Sequence, residues 1–195
     1  MFNLLADTLA RLWLLNGWKY DVSRNLAGSD WNVNVQDALV QHGLTLNNCN
    51  TLDDIANVFR GKWHWLPDPV GQAYDIVYPP VALLRRGGDD CDGWAGCHAQ
   101  AVEYVLGNHG WQSVIVSYFA EDWTLSHHFA LAVDPQKRMW VIQPQPRPQD
   151  PQNMQLVFGP FASVEEATRT VASWYNTKAM WWDVRTPMWQ TTQVA

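Results

Sequence analysis

The stretch RRGGDDCDGWA, residues 85–95, sets a cysteine between a glycine turn and an apolar helix. Gly87 and Gly88 permit a tight backbone turn. After Cys91, apolar residues recur at helical spacing, and the stripe that they form comprises Ala95, Ala99, Val102 and Leu106. We therefore predict a helix from Cys91 to about residue 108, with Cys91 on the same stripe.

A cysteine at the start of a helix has the setting of a thiol nucleophile. The partial positive charge and unbonded N–H groups at a helix N-terminus favour the thiolate, and the same N–H groups can stabilise an oxyanion. Cys91 also fits the alternative role of a small buried apolar residue. Cys49 in a turn and Cys97 in mid-helix, away from the stripe, are expected to be structural or incidental.

A histidine pair opens the run HHFALAV, residues 127–133, which predicts a strand. Successive strand residues face opposite sides of a sheet, so only one of His127 and His128 can face Cys91. His128 shares a face with two alanines that permit close approach of a helix, and we predict it as the catalytic base. A metal site is not expected, since the chain has no Cys-x-x-Cys or His-x-x-x-His pair.

The remaining pattern divides the chain into helices followed by strands. Helices are predicted for residues 3–16, 34–42, 51–60 and 163–175, and capping patterns mark the last two at Thr51 and Ser163. Strands are predicted for residues 113–119, 127–133, 138–143 and 155–158, the second and third forming a hairpin. Loops are predicted for residues 19–33, 62–81 and 144–151. This order indicates an α+β domain.

Composition excludes several classes of function. The chain has 195 residues and a net charge of −6 without a basic patch, which argues against nucleic-acid binding. Three cysteines are too few for a disulfide framework and favour a reducing, cytoplasmic location. No secretion signal and no membrane span are predicted. Among the 13 tryptophans, a C-terminal cluster is predicted to form a partner or self-association interface: Trp174, Trp181, Trp182 and Trp189.

The Cys91 segment resembles the transglutaminase-like cysteine peptidases, a branch of the papain-like fold. The family pattern Gly-Asp-Cys-Asp-Asp-aromatic-Ala is similar to residues 89–95, DDCDGWA. Upstream, WLPDP at residues 65–69, the proline pair at 79–80 and the leucine pair at 83–84 look like the family's segment of prolines and leucines. Downstream, HFALAV at 128–133 and MWVIQP at 139–144 look like its histidine strand and the strand that follows. The resemblance covers about residues 51–144.

The resemblance implies a papain/transglutaminase-like core, with a nucleophile helix packed on an antiparallel sheet and additional N-terminal helices. It implies Cys91 as nucleophile and His128 as base. Gln143 stands where the family has a catalytic Asp, and its carbonyl would orient His128; Asp90, Asp92 or Asp122 could serve instead. Two further departures are Asp89 in place of a glycine and Gly93 in place of an acidic residue.

The implied activity is amide hydrolysis or acyl transfer without a cofactor. The substrate would be a peptide, isopeptide or peptidoglycan amide, with Trp94 and Trp65 lining its groove. We divide the chain into a helical extension over residues 1–50, a core over 51–160, and a C-terminal helix with a Trp-rich tail over 161–195.

A second hypothesis is a catalytically weak or inactive scaffold on the same fold. Segments of this kind resemble proteins encoded in bacteriophage structural-gene clusters, so the chain would act in virion assembly and be incorporated in a virion. The Trp-rich C-terminus and Gln143 favour this hypothesis. A third hypothesis is a carbohydrate-binding module that uses exposed tryptophan faces.

Overall fold

One five-stranded antiparallel sheet organises the chain, with helices on both of its faces. The computed structural model describes residues 23, 25–62, 64–66, 77–121, 126–143, 155–190 and 192. The helices are α1 (Val35–Val40), α2 (Leu52–Phe59), α3 (Pro80–Arg86), α4 (Cys91–Leu106) and α5 (Val164–Trp174). The strands are β1 (Gln112–Ala120), β2 (Ser126–Val133), β3 (Met139–Ile142), β4 (Val157–Phe161) and β5 (Ala179–Arg185), in the order β4-β3-β2-β1-β5. The predicted α+β class is confirmed.

Side-chain caps begin the helices where the sequence placed them. Thr51 and Asp54 form a reciprocal capping box at the start of α2. The Ser163 side chain accepts from the Glu166 N–H at the start of α5. Asn34 caps α1 through the Asp37 N–H in the same manner. These local hydrogen bonds explain why three helix starts were predictable from sequence alone.

Strand alternation divides the sheet into two apolar faces. The first face packs against α4, and its strand residues include Ile115, Phe119, Ala130, Ala132 and Ile142. The second face packs against α5, and its strand residues include Val116, Phe129, Leu131, Val141 and Phe158. Because both faces are covered by helices, polar side chains on the central strands are buried whichever way they point.

The N-terminal part of the described chain shares the core of the α4 face. Trp31, Val35 and Leu39 belong to the same buried cluster as Ala95 of α4. Residues 28–32 were predicted as loop, yet Gly28–Asn32 forms a 3-10 helix. Burial of the Trp31 side chain, which is 7% exposed, overrides the turn-rich local sequence.

Two elements differ from the prediction. Leu83 and Leu84 lie in α3, which has Pro80 in its first turn. The helix ends at Gly87, whose φ is 86°. The Trp-rich tail contains β5, which pairs with β1 at the sheet edge. Trp174 and Trp189 are buried within the chain itself, so their assignment to an interface was wrong.

Two predicted segments lie outside the described residues: the helix over residues 3–16 and the polyproline-like loop over 144–151. The predicted hairpin is confirmed, since β2 pairs antiparallel with β3 across a turn at residues 134–138. Within the described ranges, no helix combines the length and apolarity needed to cross a membrane.

Candidate functional site

Cys91 is the first residue of α4 and is half-buried. The Asp90 side chain caps the helix by accepting from the Asp92 N–H at 3.2 Å. Upstream, the Asp89 N–H donates to the His64 carbonyl at 3.1 Å, and the Leu66 N–H donates to the Asp89 carbonyl at 3.2 Å. This short parallel pairing and the cap together fix the backbone on which the thiol stands.

Helix α4 and strand β1 run in opposite directions, so the Cys91 end of the helix lies toward the C-terminal part of β1. A turn at residues 107–111 reverses the chain, and Ser113 Oγ then donates to the Ala99 carbonyl at 2.6 Å. From Ala99 back to Cys91 the helix rises about 12 Å at 1.5 Å per residue. From Ser113 to Ser117 the strand advances about 13 Å. From these rises we expect Cys91 to lie about level with Ser117 along the strand direction.

His128 is the cross-strand partner of Ser117 and faces α4. The two residues stand directly opposite each other in the β1–β2 pair. Ser117 Oγ lies 2.7 Å from His128 Nδ1, and both side chains are buried. This hydrogen bond occupies Nδ1, so proton exchange with a thiol falls to Nε2. His128 therefore lies on the α4 side of the sheet, and its role as the base stays a prediction.

Trp189 covers His128 from the C-terminal segment. The two ring centroids lie 5.6 Å apart at 69°, an edge-to-face arrangement. A Cβ on Gly96 would lie 3.1 Å from Trp189 Nε1, so glycine at that position of α4 makes room for the indole. Trp189 is only 2% exposed and therefore shields the imidazole from solvent.

Gln143 does not orient His128, and this correction follows from strand alternation. Gln143 follows Ile142 and so shares the opposite, α5 face with Val141. Its Oε1 lies 3.3 Å from Nε2 of His127, and Tyr175 Oη lies 3.2 Å from the same nitrogen. Burial is the main cause that lowers the pKa of His127 to about 4, against the opposing effect of its bond to Gln143.

Ser117 is the orienting residue that sequence reasoning missed. In the sequence it is visible as a serine at a β1 position that alternates onto the α4 face, between the apolar residues Ile115 and Phe119. Asp183 of β5 stands directly opposite Ser117 on its other side. Its carboxylate is held by Arg185 Nε at 2.6 Å, and both side chains are largely buried. The Arg185 guanidinium pairs with the Asp183 carboxylate, and the Ser117 hydroxyl is the partner of His128 Nδ1.

The two tryptophans assigned to a substrate groove have different surroundings. Trp94 is 1% exposed and packs edge-on against Phe59 of α2, with ring centroids 6.1 Å apart. It also lines a cavity together with Leu83 and Leu84 of α3, and its role in a substrate groove stays a prediction. Trp65 is 50% exposed, and its backbone forms an isolated parallel β-bridge with Asp89, two residues before Cys91. Its role in a substrate groove stays a prediction.

Asp89 and Gly93, the two departures from the family pattern, compensate each other in space. Asp89 is fully buried, and its Oδ1 pairs with Arg86 at 2.9 Å. A Cβ added to Gly93 would overlap the Asp89 carboxylate. The absence of a side chain at position 93 therefore provides the space that the Asp89 carboxylate occupies.

Three carboxylates beside Cys91 are close enough to hold a cation. Oxygens of Asp89, Asp90 and Asp92 lie within 4.8 Å of one another. A cation there would compete with Arg86 for Asp89 and with the Asp92 N–H for Asp90. The Asp89 carboxylate is thus engaged by Arg86 and that of Asp90 by the helix cap, and the geometry gives the cluster no further assignment.

The other two cysteines are poorer nucleophiles. Burial, followed by the charge of Asp89, strongly raises the pKa of the Cys97 thiol. Burial and then Asp54 raise the pKa of Cys49. Both therefore stay protonated at neutral pH. The pKa of Tyr118 is raised by burial first, then by Tyr175 and by Cys91, which places the Cys91 sulfur within electrostatic reach of this part of β1.

Comparisons with known proteins give no relative. No protein-family model matches the chain, and no curated protein matches it. The case for the site therefore rests on the positions of Cys91, His128 and Ser117.

Proposed function

We propose that the chain is a cysteine-dependent amide hydrolase or acyl transferase with a papain/transglutaminase-like core. The observation that carries the proposal is the Ser117–His128 pair on the sheet face that packs against α4, the helix that begins at Cys91. A nucleophile, a base and an orienting group in this order are what thiol acyl transfer requires.

The first half of the reaction forms a thioester. His128 Nε2 accepts the thiol proton, and Cys91 Sγ attacks the carbonyl carbon of the amide. First-turn N–H groups of α4 stabilise the oxygen that gains negative charge. As the tetrahedral intermediate collapses, the C–N bond breaks and His128 returns the proton to the leaving amine.

The second half releases the acyl group. Water or an amine attacks the thioester carbon while His128 takes a proton from it. The C–S bond breaks, and the proton returns to Cys91. Water yields a carboxylic acid, and an amine yields a new amide, so the acceptor decides between hydrolysis and crosslinking of a peptide, isopeptide or peptidoglycan amide.

Ser117 keeps the imidazole in a productive orientation. In the thiolate–imidazolium pair, His128 Nδ1–H donates to Ser117 Oγ, a hydrogen bond to a charged group worth about 1.5–3 kcal/mol. A hydroxyl lacks the formal charge of a carboxylate and stabilises the imidazolium less. The proposed reaction therefore uses a weaker third residue than the family pattern.

The direct test is the reactivity of the Cys91 thiol. Iodoacetamide labelling at pH 6, followed by mass spectrometry, should modify Cys91 much faster than free cysteine, with Cys49 and Cys97 as internal controls. Purified chain should also release ammonia or free amine from peptide and peptidoglycan amides, and Cys91→Ala should abolish this release while the fold is retained. A Cys91 thiol that labels no faster than free cysteine would refute the proposal.

A second candidate is a catalytically weak scaffold that acts in particle assembly. It is favoured by a serine hydroxyl, rather than a carboxylate, at His128 Nδ1, and by the ion pair in which Asp183 is engaged with Arg185. Under this alternative, Cys91→Ala leaves assembly unchanged, whereas removing β5 disrupts it. Assembly that depends on the Cys91 thiol would contradict the scaffold candidate.

A further inference from the structure

A cavity of about 200 Å³ opens on the α2 side of α4. Its polar lining consists of His42, Lys62 and His64, and its apolar lining includes Leu83 and Leu84. We name it the Lys62 cavity. Cys91 does not line it, and no acidic side chain does among the described residues.

The basic side chains at this cavity are not neutralised by the protein. Within the described ranges, Lys62 forms no ion pair, and the side chains of His42 and His64 form no hydrogen bond. The three side chains are exposed at the mouth of the cavity. In a chain of net charge −6 this makes a local positive site, which attracts anions.

A buried donor adds an independent observation. Trp94 lines the same cavity and is 1% exposed, and its indole Nε1 has no hydrogen-bond acceptor. Leaving a buried N–H unpaired costs about 1–3 kcal/mol. Such a donor in a native structure calls for a partner outside the protein's own side chains.

Part of the cavity wall is a close backbone contact. A Cβ on Gly88 would overlap the His64 carbonyl, so the two backbone segments are in close contact there. Gly87 ends α3 with φ 86°, a conformation that residues other than glycine rarely adopt. The two glycines therefore let α3 and the His64 segment meet at this wall.

We infer that the Lys62 cavity binds a compact oxyanion, a carboxylate or a phosphate group. Lys62 supplies the charge, the imidazoles of His42 and His64 supply N–H donors, and the Trp94 indole N–H supplies a donor from within. The leucines contact an aliphatic part of the ligand. The inference does not depend on thiol chemistry, although Gly88 and Trp94 flank Cys91 in sequence, so a bound anion would contact the segment that carries the thiol.

The test follows the Trp94 indole N–H by ¹H–¹⁵N NMR of the full chain, with its resonance assigned from Trp94→Phe. Sodium phosphate and sodium acetate are titrated separately at constant ionic strength, with sodium chloride and neutral acetamide as controls. We expect saturable movement of the Trp94 resonance with phosphate or acetate, and the tighter of the two identifies the ligand as phosphate or carboxylate.

Two variants separate the site from general charge effects. Lys62→Gln changes an exposed residue and should weaken binding by about tenfold, since it removes one charged hydrogen bond. Lys137→Gln, in the β2–β3 turn, should leave binding unchanged. Calorimetric titration of both variants gives the same comparison without relying on Trp94→Phe.

The inference is overturned if neither anion moves the Trp94 resonance, or if chloride or acetamide moves it equally. It is also overturned if Lys62→Gln binds as tightly as the unmodified chain. Because binding is measured without turnover, these outcomes are independent of whether Cys91 proves reactive.

Discussion

His127 and His128 are adjacent in sequence but lie in different chemical environments on the two faces of the sheet. His128 faces α4, with Ser117 at Nδ1 and Trp189 over its ring. His127 faces α5 and contacts Gln143 and Tyr175. The first imidazole is the base of the proposed reaction, whereas the second is a buried group whose lowered pKa keeps it neutral at pH 7.

The difference shows how a sheet separates chemistry at single-residue resolution. Successive strand residues face opposite sides of the sheet. Gln143, one position after Ile142, therefore contacts His127 and not its neighbour His128. Replacing residues on each face in matched pairs tests whether this assignment of roles is right.

The largest effect is expected from His128. Replacement by Ala removes the imidazolium that holds the thiolate, so labelling of Cys91 by iodoacetamide at pH 6 should fall by about 100-fold. His127→Ala should change the labelling rate by less than about threefold, since its side chain lies on the other face. The rates are measured by mass spectrometry on folded protein, confirmed by circular dichroism. Equal losses for the two variants would contradict the assignment.

The next effect concerns the α4 face alone. Gly93→Asp places a second carboxylate where Asp89 already lies, and we expect the free energy of unfolding to fall by about 3 kcal/mol. Adding Asp89→Gly to that variant should restore most of the loss, with a coupling of about 2 kcal/mol. Urea denaturation of the two single variants and the double variant measures it. Additive losses would show that the two positions do not share one space.

Two buried histidines should dominate the dependence of stability on pH. Burial lowers the pKa of His127 to about 4 from an unfolded value of 6.5, so the unfolded state binds more protons between these values. The stability that His127 contributes is therefore full above pH 6.5 and declines as the pH falls toward 4, by about 2 kcal/mol between pH 8 and pH 5. The pKa of His98, on α4, is lowered to about 4 in the same direction, chiefly by burial, so the two histidines together give a decline of about 4 kcal/mol.

His127→Asn should remove about half of that decline, because His98 still contributes its part. The control is His109→Asn in the exposed turn after α4, which should keep the full decline. Urea unfolding at pH 8, 6.5 and 5 measures the three proteins. A decline that persists unchanged in His127→Asn would show that His127 is not the buried neutral group proposed here.

The smallest effect separates the two orienting residues. Ser117→Ala removes the hydrogen bond to His128 Nδ1 and should slow Cys91 labelling at pH 6 by about tenfold. Gln143→Ala should leave the rate within about twofold, although it removes a partner of His127. Ser117→Asp, with a charged acceptor, should recover part of the rate. A larger loss in Gln143→Ala than in Ser117→Ala would restore Gln143 as the orienting residue.

Local patterns predicted much of the fold. The capping box at Thr51, the hairpin of β2 and β3, and the helix beginning at Cys91 each depend on residues close in sequence. Strand β5 was missed because its tryptophans and Met180 resemble an exposed interface until pairing with β1 is known. Helix α3 was missed because prolines dominate the preceding segment.

The candidate site was predictable in part for the same reason. Alternation along β2 was sufficient to choose His128, since its inward neighbours are alanines. The orienting group depends on which strand lies beside His128 and in which register, and no local pattern encodes that. Ser117 lies eleven residues before His128 in sequence. Gln143 was chosen because it stands where the family pattern has its catalytic Asp.

The sequence by itself determined that Cys91 begins a helix and that one of two adjacent histidines opposes it, because helix caps and strand alternation are short-range properties of the chain. Only the tertiary structure decided that Ser117 is the partner of His128, that Asp89 fills the space left by Gly93, and that Trp94 lies at a basic cavity. These outcomes depend on strand register and helix packing, in which residues distant in sequence compete for the same space.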